Sequence, residues 1–158
     1  MNGKALAVRA RITRAIEQYL GLLTNDDARP KPSLTELAVA LDRLVSTYYS
    51  TPDVDPTSED SVGPRDGEKE FAEAAAAAFP ELGWYAVADP EADAGATVGL
   101  GIATGDLAEI AVDLAEVLWL FENGAEEDAI WQFRWGYQYH WGRHLHEIRL
   151  YLHSLAAW

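Results

Sequence analysis

Apolar residues recur every three or four positions through much of the chain, which is the spacing of one face of an α-helix. The first such stretch covers residues 5–23 and predicts helix 1. The second runs from Leu34 to about Tyr49, and Ser33 with Glu36 three residues later forms the pattern of a capping box before it. The alanine run in EKEFAEAAAAAF predicts helix 3, which Pro80 ends.

Two longer stretches predict a helix hairpin at the C-terminal end. They cover residues 106–122, helix 4, and residues 126–155, helix 5, whose predicted inward face ends at Leu155. The short turn at Asn123 and Gly124 makes the two helices antiparallel neighbours. The fold class that we expect is all-α: one domain over residues 1–158, built as a bundle of about five helices with a C-terminal antiparallel hairpin.

The two segments without helical spacing predict loops. Residues 50–67 are dense in proline, aspartate, serine and glycine and have few aliphatic residues, which predicts a mobile loop. Residues 80–105 contain several glycines and predict a long loop packed on the bundle, with a short extended piece at residues 84–87.

Composition narrows the classes of function. The chain has 158 residues, no cysteine and a net charge of −14. Disulfides and thiolate metal sites are therefore excluded, and the charge disfavours nucleic acid and anionic membrane surfaces as partners. No apolar run approaches the roughly 20 residues that span a bilayer, and arginines interrupt the N-terminal apolar residues. We expect a cytoplasmic protein.

Acidic residues and histidines meet across the predicted hairpin. Helix 4 carries an acidic stripe along one flank, and all four histidines lie in helix 5. Positions equally far from the turn face each other, so His140 and His144 lie level with the N-terminal end of the stripe, whereas His146 and His153 face water. The stripe consists of Asp106, Glu109, Asp113 and Glu116.

Three interpretations of this cluster stay open. The favoured one is a hydrogen-bonded pair of histidine and carboxylate groups that satisfies buried polar atoms and needs no cofactor. The second is a site for zinc or another divalent metal, and the third is acid/base chemistry, for which no catalytic residue is assigned. HWGRH lacks the glutamate of the HExxH motif. The candidate metal ligands are His140, His144, Asp106, Glu109 and Asp113.

Three aromatic residues of helix 5 fall outside its predicted inward face: Trp131, Trp135 and Tyr139. They need cover from another part of the chain or from a partner. We favour cover by helix 1 or helix 3, and a homodimer or another protein partner is the alternative.

The second half of the chain resembles a bacterial family known as domain of unknown function 5063. The resemblance covers about residues 83–155 and lies in GWYAVADP, in the acidic helix DLAEIAVDL and in the HWGxH of the tryptophan-rich helix. It implies a small bacterial helical protein and brings no activity, substrate or cofactor with it.

The function that we expect is that of a binding or protein-interaction module. The alternative is a metal-binding helical bundle, which could act as a metal-dependent hydrolase through a bound water. An acidic inhibitor of a basic protein ranks below both.

Overall fold

Six helices and a two-stranded sheet make up the part of the chain that the computed structural model describes, residues 3–23, 28–58 and 62–156. The elements in chain order are α1 (Gly3–Leu20), α2 (Leu34–Ser50), α3 (Glu68–Ala78), β1 (Trp84–Val87), β2 (Gly99–Ile102), α4 (Ala103–Glu122), α5 (Glu126–Tyr139) and α6 (Trp141–Leu155). The predicted helical-bundle class is confirmed.

The helix α4 lies at the centre of the bundle. It packs against α1, α3, α5 and α6, which its apolar residues on two sides of the helix explain. Leu107, Ile110 and Leu114 are fully buried on one face, and Val112 is also buried. The hydroxyl of Tyr19 on α1 donates to the carbonyl of Leu107 over 2.7 Å. This central position fixes the acidic flank of α4 relative to its neighbours.

The start of α2 agrees with the predicted capping box. The backbone N–H of Ser33 donates to Glu36 Oε2 over 2.7 Å, and the backbone N–H of Glu36 donates to Ser33 Oγ over 3.2 Å. Two N–H groups that the helix itself leaves unpaired are satisfied in this way.

The prediction of one helix over residues 126–155 was wrong. The chain leaves helical geometry at His140, so α5 and α6 are separate helices and the described bundle has six helices instead of about five. Beyond the break, Trp141, Ile148 and Leu152 are buried in the core. Leu145 is fully buried, whereas Leu155, which we expected on the inward face, is 43% exposed.

The segment 80–105 contains more structure than a long loop. Its predicted extended piece is β1, and β2 pairs with it antiparallel, with Tyr85 opposite Gly101 and Val87 opposite Gly99. We missed β2 because two of the four residues of GLGI are glycines, which are depleted in strands and are more typical of loops. Helix α4 follows β2 directly and starts at Ala103, three residues before the predicted start.

The described parts of the segment 50–67 hydrogen-bond to α4 and α5. The backbone N–H of Thr57 donates to Asp128 Oδ1 over 2.6 Å, and that of Gly63 donates to Glu116 Oε1 over 3.0 Å. The predicted mobility of this loop stays a prediction, and its residues 59–61 lie outside the described part. Among the described residues, none of the helices has the length and apolar character to cross a membrane.

Candidate metal site

The break at His140 sets the path of the chain through the candidate site. His140 has φ −143° and ψ −89°, outside the helical region. A Cβ added to Gly142 would lie 2.0 Å from the carbonyl oxygen of Tyr137, so no larger residue fits there without a backbone shift. A Cβ added to Gly136 would lie 2.7 Å from the fully buried ring of Trp141. The two glycines thus let α6 start against the last turns of α5.

Glu109 faces both histidines from α4. Its Oε2 lies 3.3 Å from Nε2 of His140 and 3.1 Å from Nε2 of His144. The two imidazole rings are nearly perpendicular, with centroids 5.3 Å apart. One carboxylate oxygen therefore lies between two imidazole nitrogens.

Each histidine has a separate aspartate at the other nitrogen of its ring. Nδ1 of His140 lies 2.6 Å from Asp113 Oδ2, and an ionised carboxylate only accepts, so this Nδ1 carries the proton. Nδ1 of His144 lies 3.0 Å from Asp106 Oδ1. That distance would suit a hydrogen bond, but Nδ1 of His144 makes none with acceptable geometry among the described residues. We therefore treat this contact as an off-axis electrostatic one.

Both aspartates are held in turn by residues from outside the helix hairpin. Arg65 Nη2 donates to Oδ1 of Asp113 over 2.5 Å, and the hydroxyl of Tyr85 on β1 donates to Oδ2 of Asp106. Burial, followed by the hydrogen bond to Asp106, raises the pKa of Tyr85 well above its usual value. The hydroxyl therefore stays protonated and remains a donor.

The five candidate ligands of the hairpin lie close together, but the three carboxylates contact different nitrogens of the histidine rings. Glu109 faces the Nε2 atoms, whereas Asp106 and Asp113 face the Nδ1 atoms; the role of all five as ligands stays a prediction. Glu116, the last member of the acidic stripe, contacts a different set of groups: Arg65, the N–H of Gly63 and Gln132.

Sequence reasoning missed Arg65 and Tyr85. Arg65 lies in a segment that the pattern marks only as a loop, and nothing in it indicates that its side chain reaches α4. Tyr85 lies in the GWYAVADP element of the family resemblance. The resemblance marked this element, and the structure shows that its tyrosine hydroxyl donates to Asp106.

Glu109, His140 and His144 could hold a metal ion between them. One carboxylate oxygen and two ring nitrogens, one from each residue, all lie within 4.8 Å of one another. The side chains of Glu109 and His140 are 38% and 37% exposed and that of His144 is 23% exposed. Three donors in a half-buried place would leave a bound metal with a coordination position open to solvent, as in catalytic zinc sites.

The stability that protonated His144 gives to the metal-free protein should be lost as the pH rises above about 6.5. The contact with Asp106 is the largest cause of the raised pKa of His144, burial opposes it, and the charges of Asp106, Glu109 and Glu147 add to it. A pKa that is higher in the folded state means that the proton stabilises folding. This contribution is complete below the unfolded pKa and is lost as the pH passes through the folded pKa.

The measurement is denaturant unfolding of the wild type and of His144→Gln, each with a chelator, between about pH 5.5 and about pH 8.5. The difference between them should shrink as the pH rises. The exposed His153, as His153→Gln, is the control. A constant difference between wild type and His144→Gln would contradict the prediction.

The other two histidines lie away from this cluster. His146 is exposed, and its Nε2 lies 2.8 Å from the hydroxyl of Tyr137; His153 is exposed as well. The structure thus agrees with the expectation that the four histidines do not form one site.

Trp131, Trp135 and Tyr139 form an aromatic ladder on α5. Their ring centroids are 5.7 Å and 5.6 Å apart in succession. Trp135 and Tyr139 are 42% and 71% exposed, so the favoured cover by helix 1 or helix 3 was wrong for these two. Trp131 is half-buried and lines a cavity of about 430 Å³ together with Val62 and Arg65.

A model of the family described as Domain of unknown function (DUF5063) matches residues 7–157. The match extends the resemblance seen in residues 83–155 to the N-terminal helices. The chain is also similar in structure to protein BF1032 from Bacteroides fragilis, with 15% identity, a TM-score of 0.60, and coverage of 97% of this chain and 90% of that chain. At this identity the likeness shows the fold alone. No curated protein matches the chain.

Proposed function

Because the chain belongs to the DUF5063 family, whose description assigns no function, its own side chains have to indicate one, and we propose that it binds a divalent transition-metal ion. The ligands are Glu109 Oε2 and the Nε2 atoms of His140 and His144. The observation that carries this proposal is the convergence of these three atoms on one place.

The second contacts of the two histidines support the proposal. Histidines that bind a metal through one nitrogen commonly give the other N–H to a carboxylate, which fixes the tautomer and makes the free nitrogen a better ligand. Asp113 accepts such a hydrogen bond from His140, and Asp106 lies 3.0 Å from the corresponding nitrogen of His144 as an electrostatic contact. A pair of histidines that merely satisfied buried polar atoms would not need a third carboxylate between its Nε2 atoms.

The local charge also favours a cation. Asp106, Glu109 and Asp113 lie around the two rings, and Arg65, which contacts Asp113, also shares its charge with Glu116. Carboxylates thus outnumber guanidinium groups, and a divalent ion between them would offset their repulsion.

Imidazole and carboxylate ligands suit zinc, and they also accept manganese, iron, cobalt or nickel. When bound, such an ion would lower the pKa of a water in its open coordination position, which is the basis of metal-dependent hydrolysis. Asp113 and Asp106 would hold the two histidine ligands in position around the ion. A cytoplasmic location and a bacterial source remain part of the proposal.

The test is metal binding by the untagged protein. After loading with zinc or cobalt and removal of free ion, we expect one bound ion per chain, and Glu109→Gln should weaken binding by about tenfold or more, which is about 1.4 kcal/mol. Binding is measured by competition with a chromophoric chelator. Glu122→Gln, an exposed glutamate at the end of the same helix, should bind as the wild type does.

Absence of bound metal in the wild type, or equal affinity of Glu109→Gln and Glu122→Gln, would contradict the proposal. The aromatic ladder would then be the better candidate. Two exposed neighbouring rings on one helix face favour a protein-interaction role, in which a homodimer or another protein covers Trp135 and Tyr139.

A further inference from the structure

The two aspartates beside the histidines are held by two different surface segments. One is the segment 62–67, which contains Arg65, and the other is the sheet of β1 and β2, which contains Tyr85. Each contact continues through an aspartate to one histidine. Two chains of contacts therefore end at the metal site: Arg65 to Asp113 to His140, and Tyr85 to Asp106 to His144.

Tyr85 has little freedom to leave its place. Its side chain is on the inward face of the sheet, where its ring stacks on Tyr151 of α6 with centroids 5.0 Å apart. A Cβ added to Gly101, its partner across the sheet, would lie 2.8 Å from the ring, so a glycine there admits the tyrosine. The place of the phenolic oxygen thus depends on how the whole sheet lies against α6.

The same sheet borders a cavity of about 730 Å³. The wall includes Tyr85 and Val87 from β1 and Glu147, Leu150 and Tyr151 from α6. This volume is within the range of small-molecule sites. Tyr85 lines the cavity and its hydroxyl donates to Asp106, so one residue joins the cavity to the candidate metal site.

The segment 62–67 is seated on α4 by Glu116. Gly63 N–H donates to Glu116 Oε1, and Arg65 Nη1 donates to Glu116 Oε2 over 2.8 Å. A Cβ added to Gly63 would lie 2.9 Å from Cγ of Glu116, so the backbone lies directly on the helix. The guanidinium of Arg65 spans Glu116 and Asp113, a bridge that a lysine cannot make with the same geometry.

We propose that metal binding and the seating of these two segments are thermodynamically coupled, with Arg65 and Tyr85 as the positioning residues. This inference rests on the proposed function of the site. A metal bound at the Nε2 atoms would hold each imidazole with its Nδ1 towards the neighbouring aspartate, Asp113 as a hydrogen-bond acceptor and Asp106 as a nearby charge. Each aspartate is best placed for this when Arg65 or Tyr85 also holds it. By linkage, if the seated segments raise the affinity of the site for the metal, the bound metal must stabilise the seated segments by the same free energy.

The first measurement compares zinc affinity of the wild type, Tyr85→Phe and Arg65→Gln. Tyr85→Phe keeps the ring and removes only the hydroxyl that reaches Asp106, so we expect affinity to fall about 10-fold to 100-fold. The absorption spectrum of bound cobalt should change as well, because the orientation of the His144 ligand changes. Tyr151→Phe is the matched control: it loses a hydroxyl from the ring that stacks on Tyr85. It should leave zinc affinity and the cobalt spectrum unchanged.

The second measurement is amide hydrogen exchange of the full chain with and without zinc. In the wild type, zinc should slow exchange in residues 84–87 and 99–102 and in residues 62–67. In Tyr85→Phe the effect on the sheet should be lost while that on residues 62–67 remains, and in Arg65→Gln the reverse should hold. This crossed pattern separates a positioning role from a general loss of stability.

The outcomes distinguish the two proposals. A wild type that binds no metal overturns both. A wild type that binds metal while both variants keep its affinity, or while zinc leaves exchange in both segments unchanged, overturns the coupling and leaves the metal site standing.

Discussion

Replacing Trp141 with alanine should lower the free energy of unfolding by about 3–5 kcal/mol, the range for loss of a large buried side chain. The side chain is fully buried at the junction of α5 and α6, and its ring packs against Phe133 and Tyr137 at 5.3 Å and 5.1 Å between centroids. The indole N–H has no hydrogen-bond partner among the described residues, so the loss is one of packing. Trp141→Phe should cost much less, because most of the volume remains and an unpaired N–H is removed.

Equilibrium unfolding in urea measures both effects, with Trp135→Ala as the control. Trp135 is a tryptophan of the same helix pair and is 42% exposed, so its truncation should cost less than about 1 kcal/mol. Equal losses for Trp141→Ala and Trp135→Ala would mean that the junction does not contribute to the core as described.

Gly142→Ala should lower the free energy of unfolding by about 1–3 kcal/mol although alanine favours helices. The added Cβ would lie 2.0 Å from the carbonyl oxygen of Tyr137, and backbone on both sides leaves no flexible group to move aside. The start of α6 has to shift, and the shift moves His140 and His144 relative to α4. We therefore expect weaker zinc binding in this variant as well.

Gly105→Ala is the matched control, with the opposite expected sign. Gly105 lies in the first turn of α4, and its added Cβ would meet only Ile102 Cβ at 3.9 Å, an ordinary contact. A stabilisation of up to about 1 kcal/mol is expected from the higher helix propensity of alanine. If thermal unfolding shows that Gly142→Ala is also stabilising, the close approach of α6 to α5 does not require a glycine at position 142.

The contrast between these glycines explains why part of the fold could not be predicted. A glycine within a helical pattern costs only about 1 kcal/mol, so the pattern around Gly136 and Gly142 predicts an uninterrupted helix. The contact of Gly142 with the carbonyl of Tyr137 exists only once the chain has bent at His140. Local spacing predicted the helices, and the break depends on contacts that local spacing does not contain.

For the candidate site, the sequence predicted which residues lie close together but not how their atoms face each other. Counting residues from the turn at Asn123 and Gly124 placed the histidines level with the start of the acidic stripe, and the structure agrees. The counting could not tell that Glu109 faces Nε2 and the aspartates Nδ1, because ring orientation depends on the break at His140. Arg65 and Tyr85 come from segments without helical periodicity, for which no register relative to α4 could be derived.

The arrangement of the hairpin also bears on the order in which the molecule assembles. Glu109 lies on α4, His140 at the break between α5 and α6, and His144 on α6. These elements follow one another in the chain, so the three residues can meet through contacts of short sequence separation. Arg65 and Tyr85 belong to earlier segments. If the site binds a metal as proposed, a metal present during folding would stabilise the contacts among these C-terminal helices without needing the sheet in place.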